Sequence, residues 1–342
     1  MLRFLLTLWN ECFSRVMVLK SHASGLLDVF MPSSTAPQQR IQSWRNALAT
    51  QAQNNPWMSF ALAVAMLGLL GLLGASVWNA LFGERSDNLH LAAYGGLAGF
   101  GATALGAFAA GVLREIKDVT QDTLLGFAAG MMLAASSFSL ILPGLDAARE
   151  ITGSGLFAAL TVVVGLGLGV LLMLGLDHLT PHEHEIAGRF GPQAERFNRV
   201  WLFVMAITLH NLPEGMAIGV SFANGDMKVG MPLTTAIAIQ DIPEGLAVAL
   251  ALRATGLSAL KACLLAVGSG LMEPLGSIIG LGISSGFAIA YPVSMGLAAG
   301  AMIFVVSHEV IPETHRNGHQ TPATLGLMAG FAVMMFLDTA LG

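Results

Sequence analysis

Two similar six-residue motifs carry the side chains of this sequence that are best suited to binding a metal ion. The first hexad, 210–215, reads His-Asn-Leu-Pro-Glu-Gly, and the second hexad, 240–245, reads Gln-Asp-Ile-Pro-Glu-Gly. Residues three and four positions apart share one face of a helix, so each hexad presents three polar side chains together. These candidate ligands are His210, Asn211, Glu214, Gln240, Asp241 and Glu244. Imidazole, amide and carboxylate groups suit Zn²⁺, Fe²⁺, Mn²⁺ or Cd²⁺ better than Cu⁺, which prefers thiolates.

Both hexads lie inside long apolar runs, 200–223 and 230–252, and a third run, 259–283, carries Glu273 near its centre. A carboxylate at the middle of a bilayer costs roughly 2.5–3.5 kcal/mol, so the four acidic residues of these runs would together cost on the order of 10–14 kcal/mol. Lys and Arg occur only towards the ends of the runs. A bound divalent cation, or a set of protons on hydrogen-bonded carboxyl groups, must therefore offset the charge.

A proline precedes the glutamate of each hexad, at Pro213 and Pro243. Because proline has no backbone N–H, it leaves a carbonyl one turn earlier without its helical partner. We therefore expect both helices to be broken at membrane depth, which is tolerated only against other protein or a wet cavity. Substrate sites of transporters are often built from such helices.

The composition predicts an all-α, polytopic membrane helix bundle. Of the 342 residues, 54% are hydrophobic and 11% are charged, which excludes an ordinary soluble domain. The apolar residues fall into about nine runs, each near the length of about 20 residues that crosses a bilayer. These predicted spans are 57–82, 89–113, 124–147, 154–176, 199–223, 229–253, 259–283, 286–309 and 321–341, and the break between the seventh and eighth is the least marked.

Other classes of partner and chemistry leave no signal in the sequence. The two cysteines are too few for a disulfide framework or a thiolate metal site. No basic patch indicates a nucleic-acid partner, and no phosphate-binding loop indicates ATP.

The distribution of Lys and Arg predicts the orientation in the membrane. The N-terminal tail and every second loop after it hold thirteen of the sixteen basic residues, so the N-terminus is predicted to be cytoplasmic and the C-terminus to lie outside. We expect residues 1–56 to form a cytoplasmic tail or linker, either disordered or a surface helix, and 57–342 to form the transmembrane domain that carries the metal site and would serve metal transport. A sequence resemblance between 126–132 and 296–302, each followed by a proline, further suggests that 89–176 and 259–341 are inverted-topology repeats.

Two ligand clusters can be drawn from the hexads and the third run. One cluster uses His210, Glu214, Gln240 and Glu244. The other uses Asn211, Asp241, Glu244 and Glu273. Glu244 belongs to both clusters, so a binuclear site bridged by this residue is geometrically reasonable, and weak amide ligands suit a site that must release its ion.

These residues resemble a known family. The two hexads, with Met-Glu-Pro at 272–274 and Ser-His-Glu at 307–309, resemble the ZIP (Zrt/Irt-like) zinc transporters, especially their bacterial members, from about residue 57 to the C-terminus. The resemblance implies import of Zn²⁺ and related divalent ions across the bacterial inner (plasma) membrane, a homodimer, and a binuclear centre with the two clusters above as ligand sets. It adds Met132 near the first ion and Cd²⁺ as a substitute for zinc. It also implies an elevator-like motion, and an eight-helix fold to which 57–82 adds one N-terminal span.

Weaker candidates lie away from the centre. Asp177, His182 and His184 belong to a His-rich loop that either receives exiting metal or is a solvated polar loop. His308 and Glu309 form either an exit relay or an interfacial helix cap. Asp146 and Asp338, near the outer ends of their spans, either attract cations at the entrance or are solvated helix ends.

Three functions are compatible with a metal site of this kind inside a membrane. A carrier for divalent transition metals is favoured, with a metal-selective channel or sensor as one alternative and a membrane-embedded metalloenzyme as the other. The metalloenzyme is the weaker alternative because the sequence lacks His-Glu-x-x-His and His-rich boxes. We therefore predict that the protein is not an enzyme.

Overall fold

The computed structural model describes residues 56–82, 88–112, 116–179, 182–184, 188–190, 199–315 and 317–341. All nine predicted apolar runs contain helices. The helices are α1 (Pro56–Phe82), α2 (Leu89–Val112), α3 (Asp118–Ala135), α4 (Leu142–Thr152), α5 (Gly155–Leu179), α6 (Arg199–Ser221), α7 (Met227–Ala254), α8 (Ala259–Ser269), α9 (Met272–Ser284), α10 (Ala290–Val305), α11 (Ile311–Thr314) and α12 (Gln320–Leu341). Two short antiparallel strands, β1 (His182–His184) and β2 (Gly188–Phe190), lie between α5 and α6.

The described residues form an all-α polytopic membrane bundle, as the sequence predicted. Seven helical segments are long and apolar enough to cross a membrane: Leu89–Gly111, Asp118–Thr152, Gly155–His178, Met227–Ala254, Ala259–Ser284, Ala290–Thr314 and Gln320–Ala340. The other two predicted spans correspond to α1 and α6, so the total of nine spans stays a prediction. The predicted tail, 1–56, lies outside the described residues except for Pro56.

The expectation that the hexad prolines break their helices is wrong. Helix α6 runs through Pro213, and α7 runs through both Pro232 and Pro243. Each proline removes one backbone hydrogen bond, but the helix continues on both sides because neighbouring helices enclose it.

The interruption lies instead in the third apolar run, which was predicted as one continuous span. Helix α8 ends at Ser269, and α9 begins at Met272. The sequence here is Gly268-Ser269-Gly270, and glycine is a poor helix former. Pro274 follows in the first turn of α9, where a missing N–H costs nothing because first-turn N–H groups have no helical partner. Glu273 is thereby placed at the N-terminus of a helix in the middle of the bundle.

The helices form two groups, which we call the hexad group and the second group. The hexad group contains α2, α6, α7 and the α8–α9 pair, in which α2 packs on α7 and α6 packs on α9. The second group contains α3–α4, α5, α10–α11 and α12, in which α3 packs on α12 and α5 packs on α10. Several described glycines lie so close to the backbone of another helix that an added Cβ would overlap it. In each such case, both helices belong to the same group. Small residues of this kind allow the closest packing of membrane helices.

The resemblance between 126–132 and 296–302 has a structural counterpart. A π-helical segment, Ser136–Ile141, joins α3 to α4, and another, Val306–Val310, joins α10 to α11. The first segment begins ten residues after residue 126, and the second begins ten residues after residue 296. Each segment lies just before a proline, Pro143 or Pro312. The wider turn relieves the clash between the proline ring and the preceding carbonyl. The shared position supports a common origin of the two repeats.

Helix α1 contacts both groups. It packs on α5 of the second group and on α9 of the hexad group. Ala65 and Leu72 of α1 share one apolar cluster with Leu172 of α5 and Ile283 of α9. The additional N-terminal helix therefore spans the boundary between the two groups.

A polar tie joins the loop before α12 to α3. The buried Asp122 lies 2.8 Å from His319 Nδ1 and accepts a hydrogen bond of 3.1 Å from Asn317 Nδ2. His319 therefore has a structural contact within the second group.

Candidate metal centre

The two hexads face each other at the middle of the hexad group. Their closing glycines let other helices approach closely: Gly215 lies against the backbone of Glu273 on α9, and Gly245 lies against the backbone of Thr103 on α2. A Cβ at either glycine would overlap that backbone. The glycine of each hexad thus fixes the distance between its own helix and a second helix that contributes to the site.

The first cluster has the spacing of a metal site. His210, Glu214 and Glu244 each offer one ligand atom, and these atoms lie within 4.8 Å of one another. His210 Nε2 lies 3.4 Å from Glu244 Oε1 without a hydrogen bond. Gln240 Nε2 donates to Glu214 Oε1 at 2.6 Å, and its own Oε1 has no partner. The predicted quartet is therefore adjacent in space, with lone pairs left to accept a cation.

The second cluster is more deeply buried. Asn211, Asp241 and Glu273 are each at most 2% exposed. Asn211 Oδ1, Asp241 Oδ2 and Glu273 Oε2 have no hydrogen-bond partner. Unsatisfied buried oxygens are costly, and two of them, Asp241 Oδ2 and Glu273 Oε2, lie near one point beside Gly99. Two carboxylate oxygens that meet in this way indicate a position for a cation.

The electrostatics of the centre are strongly negative. The basic residues of α6 to α9 lie in the first or last turns of their helices, at Arg199, Lys228, Arg253 and Lys261. Glu273 lies in the first turn of α9, where the helix dipole favours a negative charge. That dipole offsets only part of one charge, so a divalent ion is the natural partner of the remaining carboxylates.

One π-helical segment places Glu309 beside the first cluster and His308 beside Asp177. Glu309 Oε2 lies 4.0 Å from His210 Nδ1, and His308 Nε2 lies 3.8 Å from Asp177 Oδ2. Asp177 is buried in the last turn of α5 and does not belong to the loop to which the sequence had assigned it. The structure therefore links three weaker candidates to the region of His210 through two neighbouring residues of one segment.

The other π-helical segment places Ser139 beside Asp338. Ser139 Oγ donates to Asp338 Oδ1 at 2.6 Å, and this contact joins the segment to α12. Asp146 behaves differently: it is exposed and lies 3.5 Å from Arg149. Of the two predicted entrance acids, Asp338 is thus the one held by the fold.

The remaining candidates are not brought to the two clusters by any described contact. Met132 is buried in the main apolar core with Met302, its counterpart in the second repeat. His182 and His184 lie in β1, and their side chains are outside the described residues.

Sequence reasoning missed Thr103, whose hydroxyl donates to Glu273 Oε1 at 2.6 Å, and Ser139. The repeat relates each of them to an acidic candidate residue, although it does not indicate which side chains touch. Adding the 170-residue offset between 126 and 296 to Thr103 gives Glu273, and adding it to Ser139 gives Glu309.

The fold and centre define a class: a polytopic membrane protein with a buried site for a divalent metal. A family model described as ZIP zinc transporter matches residues 176–338. Zinc transporter ZIPB of Bordetella bronchiseptica is 68% identical over 306 residues, which cover 90% of this chain and 99% of that protein. Zinc transporter GufA of Myxococcus xanthus is 43% identical over 241 residues, covering 70% of this chain and 95% of that protein. Human zinc transporter ZIP11 is 30% identical over 329 residues, covering 71% and 95%.

This chain therefore belongs to the ZIP family of zinc transporters. The resemblance stated from the hexads is confirmed, and the relatives are named as transporters and not as enzymes.

Proposed function

We propose that this protein imports Zn²⁺ across the bacterial inner membrane through a binuclear site built by the two hexads. The observation that carries the proposal is the approach of His210, Glu214 and Glu244 ligand atoms to within 4.8 Å. Family membership and the names of the relatives support zinc as the ion.

The first ion takes His210, Glu214, Gln240 and Glu244. The second ion takes Asn211, Asp241, Glu244 and Glu273, with Glu244 between the two. The first set includes an imidazole and is suited to Zn²⁺ and Cd²⁺, whereas the second set offers only oxygen ligands and is more tolerant of harder ions such as Mn²⁺ or Fe²⁺. Cd²⁺ is accordingly expected to replace Zn²⁺.

The ion leaves along the line from His210 to Glu309, then to His308 and Asp177. Each step exchanges one weak contact for another, which suits release better than a single tight site. On the opposite side, Asp338 supplies a carboxylate near the predicted outer surface, and Ser139 holds its position by the 2.6 Å hydrogen bond.

A carrier motion fits the packing of the two groups. The closest backbone approaches lie inside each group, so the hexad group can shift against the second group while its own ligands stay together. Helix α1 contacts both groups and moves against at least one of them in such a shift. We also propose that the protein is a homodimer with a cytoplasmic N-terminus and an external C-terminus.

The proposal is tested by ion flux into proteoliposomes against a panel of Zn²⁺, Cd²⁺, Mn²⁺ and Fe²⁺, with the metal content of the purified protein measured in parallel. We expect Zn²⁺ accumulation above protein-free liposomes, competition by Cd²⁺, and two zinc ions per chain. Flux equal to that of protein-free liposomes would contradict transport. One ion per chain at saturating zinc would contradict the binuclear site.

A further inference from the structure

Helix α2 carries none of the hexad residues, yet it touches the second cluster through one side chain. Thr103 is buried, and its hydroxyl donates a 2.6 Å hydrogen bond to Glu273 Oε1 on α9. A hydrogen bond to a carboxylate is among the stronger kinds in proteins. One oxygen of Glu273 is therefore held by α2, and the orientation of the other oxygen follows from it.

Thr103 differs from the other described threonines that donate hydrogen bonds. Those hydroxyls bond to a carbonyl three or four residues earlier in the same helix, as in Thr208 to Val204 and Thr123 to Val119. This local bond is the usual way in which a threonine is satisfied inside a helix. Thr103 instead bonds across to Glu273, which indicates a role in the site beyond satisfying its own hydroxyl.

The opposite oxygen of Glu273 lies against a bare part of α2. Gly99 precedes Thr103 by one turn, and a Cβ at Gly99 would collide with Glu273 Oε2 and lie 3.2 Å from Asp241 Oδ2. Both oxygens lack a hydrogen-bond partner. Two carboxylate oxygens from different helices thus meet beside Gly99. Any larger residue at this position would occupy the space between them and α2.

We propose that Thr103 is a positioning residue for the second metal ion and that Gly99 provides the space for it. Thr103 fixes Glu273 Oε1, and this turns Oε2 towards Asp241 before the ion arrives. Ligands held in advance lose less conformational entropy on binding. The inference rests on the proposed binuclear function, because it assigns a role within the second site.

The experiment compares Thr103→Val, which keeps the shape and removes the donor, with Thr103→Ser, which keeps the donor. Thr234→Val is the matched control, because Thr234 is a buried threonine whose hydroxyl has no hydrogen-bond partner. Glu273→Gln reports on the second site itself. Zinc bound per chain, the Kd of each ion and the KM and Vmax of uptake are measured for all four variants and the unchanged protein.

We expect Thr103→Val to raise the second Kd about tenfold or more, as the loss of a hydrogen bond to a charged group would do. The first Kd should stay unchanged, and KM should change more than Vmax. Thr103→Ser should restore most of the affinity, and Thr234→Val should match the unchanged protein.

Three outcomes would overturn the inference in distinguishable ways. If Glu273→Gln retains two ions with unchanged Kd, the binuclear function fails and the inference falls with it. If Glu273→Gln loses one ion but Thr103→Val binds both as before, the inference alone fails. If Thr234→Val weakens binding as much as Thr103→Val, the effect belongs to any buried hydroxyl and not to positioning.

Discussion

The two hexad helices use the same backbone design for different chemistry. Helices α6 and α7 each run through the proline of a hexad, which is followed by a glutamate and a glycine. That glycine, the last residue of the hexad, lies against the backbone of a second helix. The hexads differ in polar character at their first two positions. These positions are His210 and Asn211 in α6, and Gln240 and Asp241 in α7. Across the site, each position therefore pairs an amide with a stronger ligand from the other helix.

The partner helices continue this contrast. The glycine of α6 faces Glu273 on α9, whereas the glycine of α7 faces Thr103 on α2. One partner provides a charged ligand, and the other provides a hydroxyl that holds that ligand. A repeated backbone design can thus supply two matching positions that single side-chain differences make unequal: one cluster has an imidazole, and the other has only oxygen donors.

The largest expected effect comes from removing the metal-binding side chains that α6 contributes to the first cluster. His210→Ala or Glu214→Ala should reduce zinc uptake into proteoliposomes to the level of protein-free liposomes, because each removes one of the three donor atoms that lie within 4.8 Å of one another. His319→Ala is the control, since His319 contacts Asp122 in the second group and no hexad residue. Uptake by His210→Ala equal to that of the unchanged protein would refute the assignment of the first site.

The next effect is that of pH. Carboxylates and His210 must lose their protons to bind metal, so protons compete with zinc. Uptake at limiting zinc should therefore fall as the pH is lowered from about 7.5 to about 5.5. Uptake that stays constant over this pH range would contradict metal binding by these groups. A fall that is larger at zinc concentrations below the KM than at saturating zinc would support it.

The smallest effects are expected at the predicted entrance. Asp338→Asn should lower uptake a few-fold at low ionic strength, because it removes a charge that attracts the cation, and the loss should shrink at high salt. Asp146→Asn should change uptake less, since Asp146 is exposed and already lies beside Arg149. A larger loss for Asp146→Asn than for Asp338→Asn would place the entrance elsewhere.

Much of the fold could be predicted from the sequence because long apolar runs leave few alternatives in a membrane. The helix positions, the clustering of His210, Glu214 and Glu244, and the burial of Glu273 followed from spacing and from the cost of buried charge. The continuity of α6 and α7 through their prolines did not, since it depends on the helices that enclose them. The interruption at Gly270, by contrast, has a local cause, because glycine is a poor helix former. It was not predicted because the third apolar run is long enough for one continuous span.

Thr103 shows where sequence reasoning stops. A single threonine in an apolar helix carries no local signal, because most such hydroxyls bond to their own backbone. Only its position opposite Glu273, fixed by the packing of α2 on α9, gives it a place in the site. The same holds for Asp177, which appeared to be a loop residue until α5 was seen to extend to Leu179.

The most direct test of the account uses Glu244, which we assign to both ions. Zinc content and zinc uptake would be measured for Glu244→Gln beside Glu273→Gln in the same preparation. The account predicts that Glu273→Gln keeps one zinc ion per chain, while Glu244→Gln keeps less than one and transports no more than protein-free liposomes. A Glu244→Gln protein that binds two zinc ions and transports at the unchanged rate would contradict it.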